Sequence, residues 1–424
     1  MHTGCMTPQE LKALDRRLTS FLEDLLAPMG RSERRHWART YVEGLLLDGE
    51  RKSIEPMASR LSGVDVQALR QFVGQSPWTV EEVQRQLALK VVDLISSPEV
   101  WILDDTSFPK AGLHSVGVGR QYCGALGKVA NCQVAVTLHW SSGEASCPLG
   151  WRLFVPQQWF EDAKRAAEVK LPPDLTFRSK PELACELLDQ VLGWGVPPLP
   201  LVSDSFYGDS YDFRQQLQQR QLKYVVTVEP QTQVWTQDPQ TPPTTTQRPG
   251  RPHKVPTPAG LPPPQDLPTV AGQLPPSAWR NVTWREGSRG LQRCRFARLP
   301  VWAAHGWRSG KRAPRVAEWL LIEWPTGEKQ PVKYWLAQLD SRVPGLRRLV
   351  RMAHARWRIE LDYRELKEEL GLDHFEGRHW LGWHHHVTLV TLAYAFLRAE
   401  QARLKKNDWC DLTPGPAADT AASD

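Results

Sequence analysis

The chain has 424 residues, a mass of 48.2 kDa, 41% hydrophobic residues and a formal net charge of +6, enough for two or three domains with an ordinary core. Seven cysteines scattered from Cys5 to Cys410 without a CxxC pair exclude a disulfide framework and a zinc knuckle. No apolar run approaches the roughly 18 residues of a membrane span, and the opening MHTGCMTPQELKALDRR is not a basic-then-apolar leader, so a reducing, cytoplasmic setting without membrane contact is expected.

Residues 8 to about 92 read as helical, with apolar residues at helical spacing in PQELKALDRRLTSFLEDLL and RRHWARTYVEGLLLDG. Within them SIEPMASRLSGVDVQALRQFVGQSPW gives a short helix, a turn and a second helix carrying Gln67, Arg70 and Gln71. That is the spacing of a helix-turn-helix and equally of a plain helical hairpin. From Glu99 the texture changes to strands: VWILDD, then NCQVAVTLHW and SCPLGWRLFVP joined by SSGE. The helix KPELACELLDQVLGWG, the strand PLPLVSD, the helix SYDFRQQLQQRQ and the strand KYVVTV follow. Three antiparallel strands and then α, β, α, β is the element order of an α/β, RNase H-like domain, a mixed five-stranded sheet with helices on both faces. That order sets the end of the first strand, Asp105, beside the end of the fourth, Asp204.

Between Pro230 and Pro276 stand 14 prolines in 47 residues, a composition unsuited to helix or sheet interior. RCRFARLPVWAA, VAEWLLIEWP and VKYWLAQL then read as strands, so 230–339 is expected to be a proline-rich loop plus a β-rich insertion subdomain. Residues 93–229 and 340–405 form the expected core with its C-terminal helices, and 406–424 a mobile tail. Six arginines and no acid lie between Ser341 and Ile359, among them Arg348, Arg351 and Arg356; such a segment can neutralise several phosphates.

Candidate chemistry centres on three carboxylates. At about 100° per residue, Arg356, Glu360 and Lys367 fall within roughly 60° of one another on one helical face. Asp105, Asp204 and Glu360, gathered by this fold, repel one another unless metal ions neutralise them, and hard oxygen ligands select Mg²⁺ or Mn²⁺. Two such ions can drive in-line phosphoryl transfer. Other patterns read as structural. His384 to His386, with His374 and His379 upstream, point to different helical faces without a Cys or carboxylate at zinc spacing. GVGRQYCG lacks the GK[ST] of a nucleotide loop, Asp209 suits an N-cap for the next helix, and Lys110 and Arg120 suit a solvated loop.

In this order LDDTS, LVSDSFYG and RWRIELDYRELK resemble the DDE transposases of bacterial insertion sequences, in particular the insertion-sequence-four-like group that cuts through DNA hairpins. That group's signature Tyr-x2-Arg-x3-Glu-x6-Lys falls on Arg356, Glu360 and Lys367, with Ala353 at the Tyr position. Its aspartate followed by a hydroxyl pair falls on Asp105, Thr106 and Ser107, which favours Asp105 over Asp104. FPKAGLHSVGVGRQYCGALGKVANCQVAV is similar to a subgroup typified by cyanobacterial insertion sequences. The resemblance implies that residues 1–92 bind terminal inverted repeats, and that Asp105, Asp204 and Glu360 hold two Mg²⁺ ions. It implies nicking, hairpin formation and strand transfer by a homodimer on double-stranded DNA. Arg356 and Lys367 would hold phosphates, Trp335 would stack on an extruded base, and Arg348, Arg351 and Arg70 would contact DNA. A nuclease without strand transfer, and a silent DNA-binding descendant of a transposase, are the alternatives.

Overall fold

A computed structural model describes residues 7–239, 263–287, 290–304, 316–340 and 343–412. Most of the proline-rich stretch, 240–262, and the tail from 413 lie outside the described residues.

Five helices open the chain: α1 (Pro8–Leu26), α2 (Ser32–Leu46), α3 (Ile54–Arg60), α4 (Val66–Gln75) and α5 (Val80–Leu94). Helix α1 starts because Thr7 and Glu10 form a reciprocal capping box ahead of Pro8. It buries Leu18, Leu22, Leu25 and Leu26 at the spacing of one helical face. The α3–turn–α4 pair expected as a helix-turn-helix or a plain helical hairpin is present, with Asp65 capping α4 and with Gln67, Arg70 and Gln71 exposed.

The central strands are β1 (Val100–Pro109), β2 (Gly119–Cys123), β3 (Lys128–Ser141) and β4 (Ser146–Phe154). After the short helices α6 (Gln158–Glu161) and α7 (Ala163–Glu168) come α8 (Lys180–Gly193), β5 (Leu201–Ser203), α9 (Ser205–Gly208), α10 (Tyr211–Gln219) and β6 (Tyr224–Val228). Then follow β7 (Gln233–Trp235), β8 (Gln265–Asp266), α11 (Leu267–Gly272), β9 (Arg280–Gly287), β10 (Gly290–Ala303), β11 (Glu318–Trp324) and β12 (Lys333–Gln338). The chain closes with α12 (Leu346–His354), α13 (Trp357–Glu368) and α14 (Trp380–Leu412).

The fold is mixed α/β, but among the described residues its sheet has twelve strands where five were expected. Strands β4, β3, β1, β5 and β6 follow one another in space, with β1–β5 and β5–β6 parallel and the other pairs antiparallel. The sheet continues because β12 pairs antiparallel with β6, Leu336 opposite Val226, and β11 and β10 extend it further. The strands of 230–339 are thus hydrogen-bonded into the central sheet. Strand β2, absent from the expected set, pairs along the first residues of β3.

Alternation along β1 separates two cores. Trp101 and Leu103 join the large core with α5, α8 and α14, whereas Val100 and Ile102 join Val202, Val225, Trp335, Leu349 and Ile359 beneath α12 and α13. The parity of β1 therefore decides which helix each aspartate meets.

Candidate active site

Ile102 pairs with Val202 in the parallel β1–β5 register, and continuing it by two residues sets Asp104 level with Asp204. Asp204 ends its strand and caps α9, its side chain accepting from Tyr207 N–H at 3.4 Å. Helix α9 presses on β6 so closely that a Cβ on Gly208 would stand 1.8 Å from the Thr227 carbonyl oxygen. Only glycine permits that approach, and it fixes the cap. Asp209 does not cap the next helix; Ser210 does. The Asp209 carboxylate instead accepts from Glu229 N–H at 3.0 Å and Thr232 Oγ1–H at 2.9 Å, tying α9 to the end of β6.

The two adjacent aspartates of β1 face opposite ways. Asp105 accepts hydrogen bonds from the Tyr207 hydroxyl and the Lys180 ammonium at the start of α8. Asp104, on the side of α13, pairs with the Arg356 guanidinium, which also reaches Glu360 at 3.4 Å. Burial pushes the Asp104 carboxyl up to about 7, with Arg356 opposing the rise and Asp204 adding to it. Asp204 is likewise raised, by burial first, with Arg356 opposing and Asp105 reinforcing. Burial disfavours the Arg356 charge, but Asp104, Asp204 and Glu360 outweigh it and hold the guanidinium above its usual value.

The structure thus gathers Asp104, Asp105 and Asp204 into one electrostatic cluster with Arg356 as its hub. Glu360 stands on the rim, its side chain 62% exposed. Among the described residues no three Asp, Glu, His or Cys side chains stand at metal-ligand spacing. The first strand does not end at Asp105 as expected but runs on to Pro109 because its later residues pair with β3. The donors are nonetheless hard carboxylate oxygens crowded where β5 ends beside the middle of β1, a set that suits a divalent cation such as Mg²⁺.

The other expected contacts are dispersed. Lys367 donates to the Ser107 carbonyl at 2.9 Å and is partly buried, which lowers its pKa. Lys110 is not solvated: it donates to the Phe375 carbonyl at 2.7 Å. Trp335 is 3% exposed on β12, its ring 5.4 Å from His354. Arg348 is exposed on α12, Arg351 pairs with Glu99 at 3.3 Å, and Arg70 pairs with Glu55 at 2.6 Å in the N-terminal helices. Sequence reasoning missed Lys180, Tyr207 and the pairing of Asp104. Tyr207 lies three residues after Asp204, a readable helix-cap spacing; nothing local marks Lys180.

The family model of the DDE superfamily endonucleases matches residues 24–291, more than half of the chain, and the chain belongs to that family. The match includes Asp105 and Asp204 and ends before Glu360. The chain is also 30% identical over 188 residues to the probable transposase for insertion sequence element IS701 of Microchaete diplosiphon, covering 44% of this chain and 46% of that protein. The aligned part therefore spans about half the length of this relative. Among solved structures, a piggyBac transposase synaptic complex with hairpin DNA covers 93% of this chain and 78% of its own, at 9% identity and a TM-score of 0.36, too loose a likeness to argue from.

Proposed function

We propose that the chain is the DDE transposase of a bacterial insertion sequence, cutting and joining DNA by cut-and-paste transposition with hairpin formation. The observation that carries this is the electrostatic cluster of Asp104, Asp105 and Asp204 where β5 ends beside β1, with α13 bringing Arg356 and Glu360 alongside. The strand order β4-β3-β1-β5-β6 supports an RNase H-like core within the larger sheet.

Asp105, Asp204 and Glu360 would hold two Mg²⁺ ions, with Mn²⁺ able to substitute, and Glu360 is exposed enough to swing from Arg356 toward the aspartates. When bound, the ions supply Lewis-acid activation of a water or 3′-hydroxyl and neutralise the leaving oxygen. Arg356 presents a planar, always-charged fork to a phosphate. Lys367, anchored at the Ser107 carbonyl two residues past Asp105, adds a point charge there. The exposed α4 residues Gln67, Arg70 and Gln71 suit reading of terminal repeats, and Arg348 and Arg351 suit backbone contacts on α12. Trp335 would stack on a base only after the contact between β12 and α12 opens. Joining two element ends calls for a homodimer, acting on DNA at the nucleoid.

The test is cleavage of duplexes carrying the source element's ends with Mg²⁺, resolved on a denaturing gel, comparing wild type with Glu360→Ala. Nicks and hairpins from the wild type, and neither from a variant that still binds DNA, are expected. Binding by both with cleavage by neither, in Mg²⁺ or Mn²⁺, would show the reading to be wrong.

A further inference from the structure

The β2–β3 hairpin projects apolar side chains into solvent. Tyr122 and Val129 are cross-strand partners and are 65% and 53% exposed; Leu126 at the tip is 48% exposed. Burying such surface is favourable, so leaving it bare in water calls for an explanation. The hairpin is fastened to the catalytic strand. Ser107, two residues past Asp105, accepts Ala125 N–H at 3.0 Å on its hydroxyl oxygen and Lys367 at 2.9 Å on its carbonyl. The tip, Lys367 and Asp105 therefore converge on one stretch of β1.

Charge indicates the occupant. From Thr106 to Gly143 the sequence has no Asp or Glu, while Arg120 and Lys128 are exposed on the hairpin and have no ion-pair partner among the described residues. Arg120 lies two residues from Tyr122, hence on the same face of β2. An exposed aromatic flanked by apolar side chains and unpaired cations, in a segment without acids, is the composition of a platform for single-stranded nucleic acid. A protein partner recognised by the apolar patch alone would not explain the missing acids.

We propose that the β2–β3 hairpin engages the unpaired part of a DNA strand beside the cleavage site. Tyr122 stacks on a displaced base, with Leu126 and Val129 at its sides, and Arg120 on the same face neutralises a flanking phosphate, while Lys128 adds positive charge from the opposite face of the hairpin. The face of Cys123 meets Ser107 and the face of Tyr122 is turned outward, so the hairpin's tie to Ser107 fixes on β1 a platform for a strand passing over the site, and the sharply bent intermediate of hairpin formation has bases out of the stack. This inference rests on the DNA-cutting function proposed above.

The experiment compares full-length wild type, Tyr122→Ala, Tyr122→Phe and Arg120→Ala by anisotropy in Mg²⁺. The probes are a fluorescein-labelled paired duplex and the same duplex ending in an unpaired fork, and the oligomeric state of each protein is checked. The Tyr122→Ala variant should bind the forked probe about tenfold more weakly, from the stacking of one base, with little change on the paired duplex. The Tyr122→Phe variant should bind like wild type, and Arg120→Ala should lose affinity with a shallower salt dependence. Equal binding of the fork by wild type and Tyr122→Ala, or equal loss on both probes, overturns the inference and leaves the transposase reading standing. A change in oligomeric state instead of DNA affinity assigns the patch to a second copy of the chain and overturns it too. Wild type that binds neither probe removes the DNA-cutting function and this inference together.

Discussion

Asp362 follows Glu360 by two residues, so it points roughly 200° away around α13 and enters the core while Glu360 faces the cleft. It is fully buried, accepting from His139 Nδ1–H at 2.8 Å, the Tyr394 hydroxyl at 2.9 Å and the Ser146 hydroxyl, with Arg398 Nη2 at 3.9 Å. Burial raises its pKa, but His139, Ser146 and Arg398 together outweigh burial and hold the carboxyl below its usual range. Its contribution is therefore present above the unfolded carboxylate pKa and lost as pH falls through the lower folded value. Asp362→Ala strands three donors and a cation, and should cost roughly 3–5 kcal/mol in urea unfolding. Asp362→Asn keeps one acceptor oxygen and should cost less, and equal stability of Asp362→Ala and wild type would show that the hub does not anchor α13. No local pattern in the sequence announced this hub, because its partners come from β3, β4 and α14. The signature of Arg356, Glu360 and Lys367 was readable because helical spacing alone fixes their common face. The choice between Asp104 and Asp105 needed a motif, and what a motif could not supply is that strand parity hands Arg356 to Asp104.

At the scale of elements, α14 fastens the N-terminal helices to the rest. His386 Nε2–H can donate to the Leu372 carbonyl at 3.1 Å while Nδ1 accepts from the Tyr41 hydroxyl of α2 at 2.9 Å, an arrangement only neutral imidazole satisfies. His385 donates to the Val73 carbonyl of α4 at 2.8 Å and stacks on Trp78 at 3.8 Å between ring centroids. Burial lowers His386 to about 3 and His385 to about 4. The unfolded chain therefore binds more protons below the ordinary histidine pKa, and stability falls as pH drops from about 6.5 toward those folded values. Each histidine should withdraw roughly 2 kcal/mol of stability between pH 7 and pH 5. Urea midpoints at the two pH values measure it, with His385→Asn, whose amide can still donate to Val73, showing a smaller acid loss. An identical acid loss in that variant would remove His385 from the account. The sequence already read consecutive histidines as facing different ways. Strand β2 escaped because GRQYC is short, glycine-led and exposed at Tyr122, and is a strand only by virtue of its ladder with β3.

For the whole molecule, the sequence revealed β10, β11 and β12 from their apolar runs but neither β8 and β9 nor the destination of any of them. Pairing β12 with β6 brings together segments some hundred residues apart in the chain, and no local pattern encodes which edge a strand will choose. The consequence is that β6 has no free edge: β5 lies on one side and β12 on the other. Trp335 and Ala337 of β12 pack into the same core as Val202, Val225 and Ile359, beneath the helix that carries Glu360. Replacing 263–339 with a short linker would therefore bare the β6 ladder and remove Val282, Phe296, Leu321, Trp335 and Ala337 from that core. The shortened chain should accumulate as insoluble protein, or melt without a cooperative transition, with α13 and its Arg356–Asp104 pair no longer held against the sheet. Near-ultraviolet circular dichroism and a thermal melt of whatever is soluble decide the matter. A cooperative melt with retained tertiary signal would mean that the central strands fold without their extension, as a separable insertion subdomain would allow. A lost transition would mean that the extension and the carboxylate site fold as one unit.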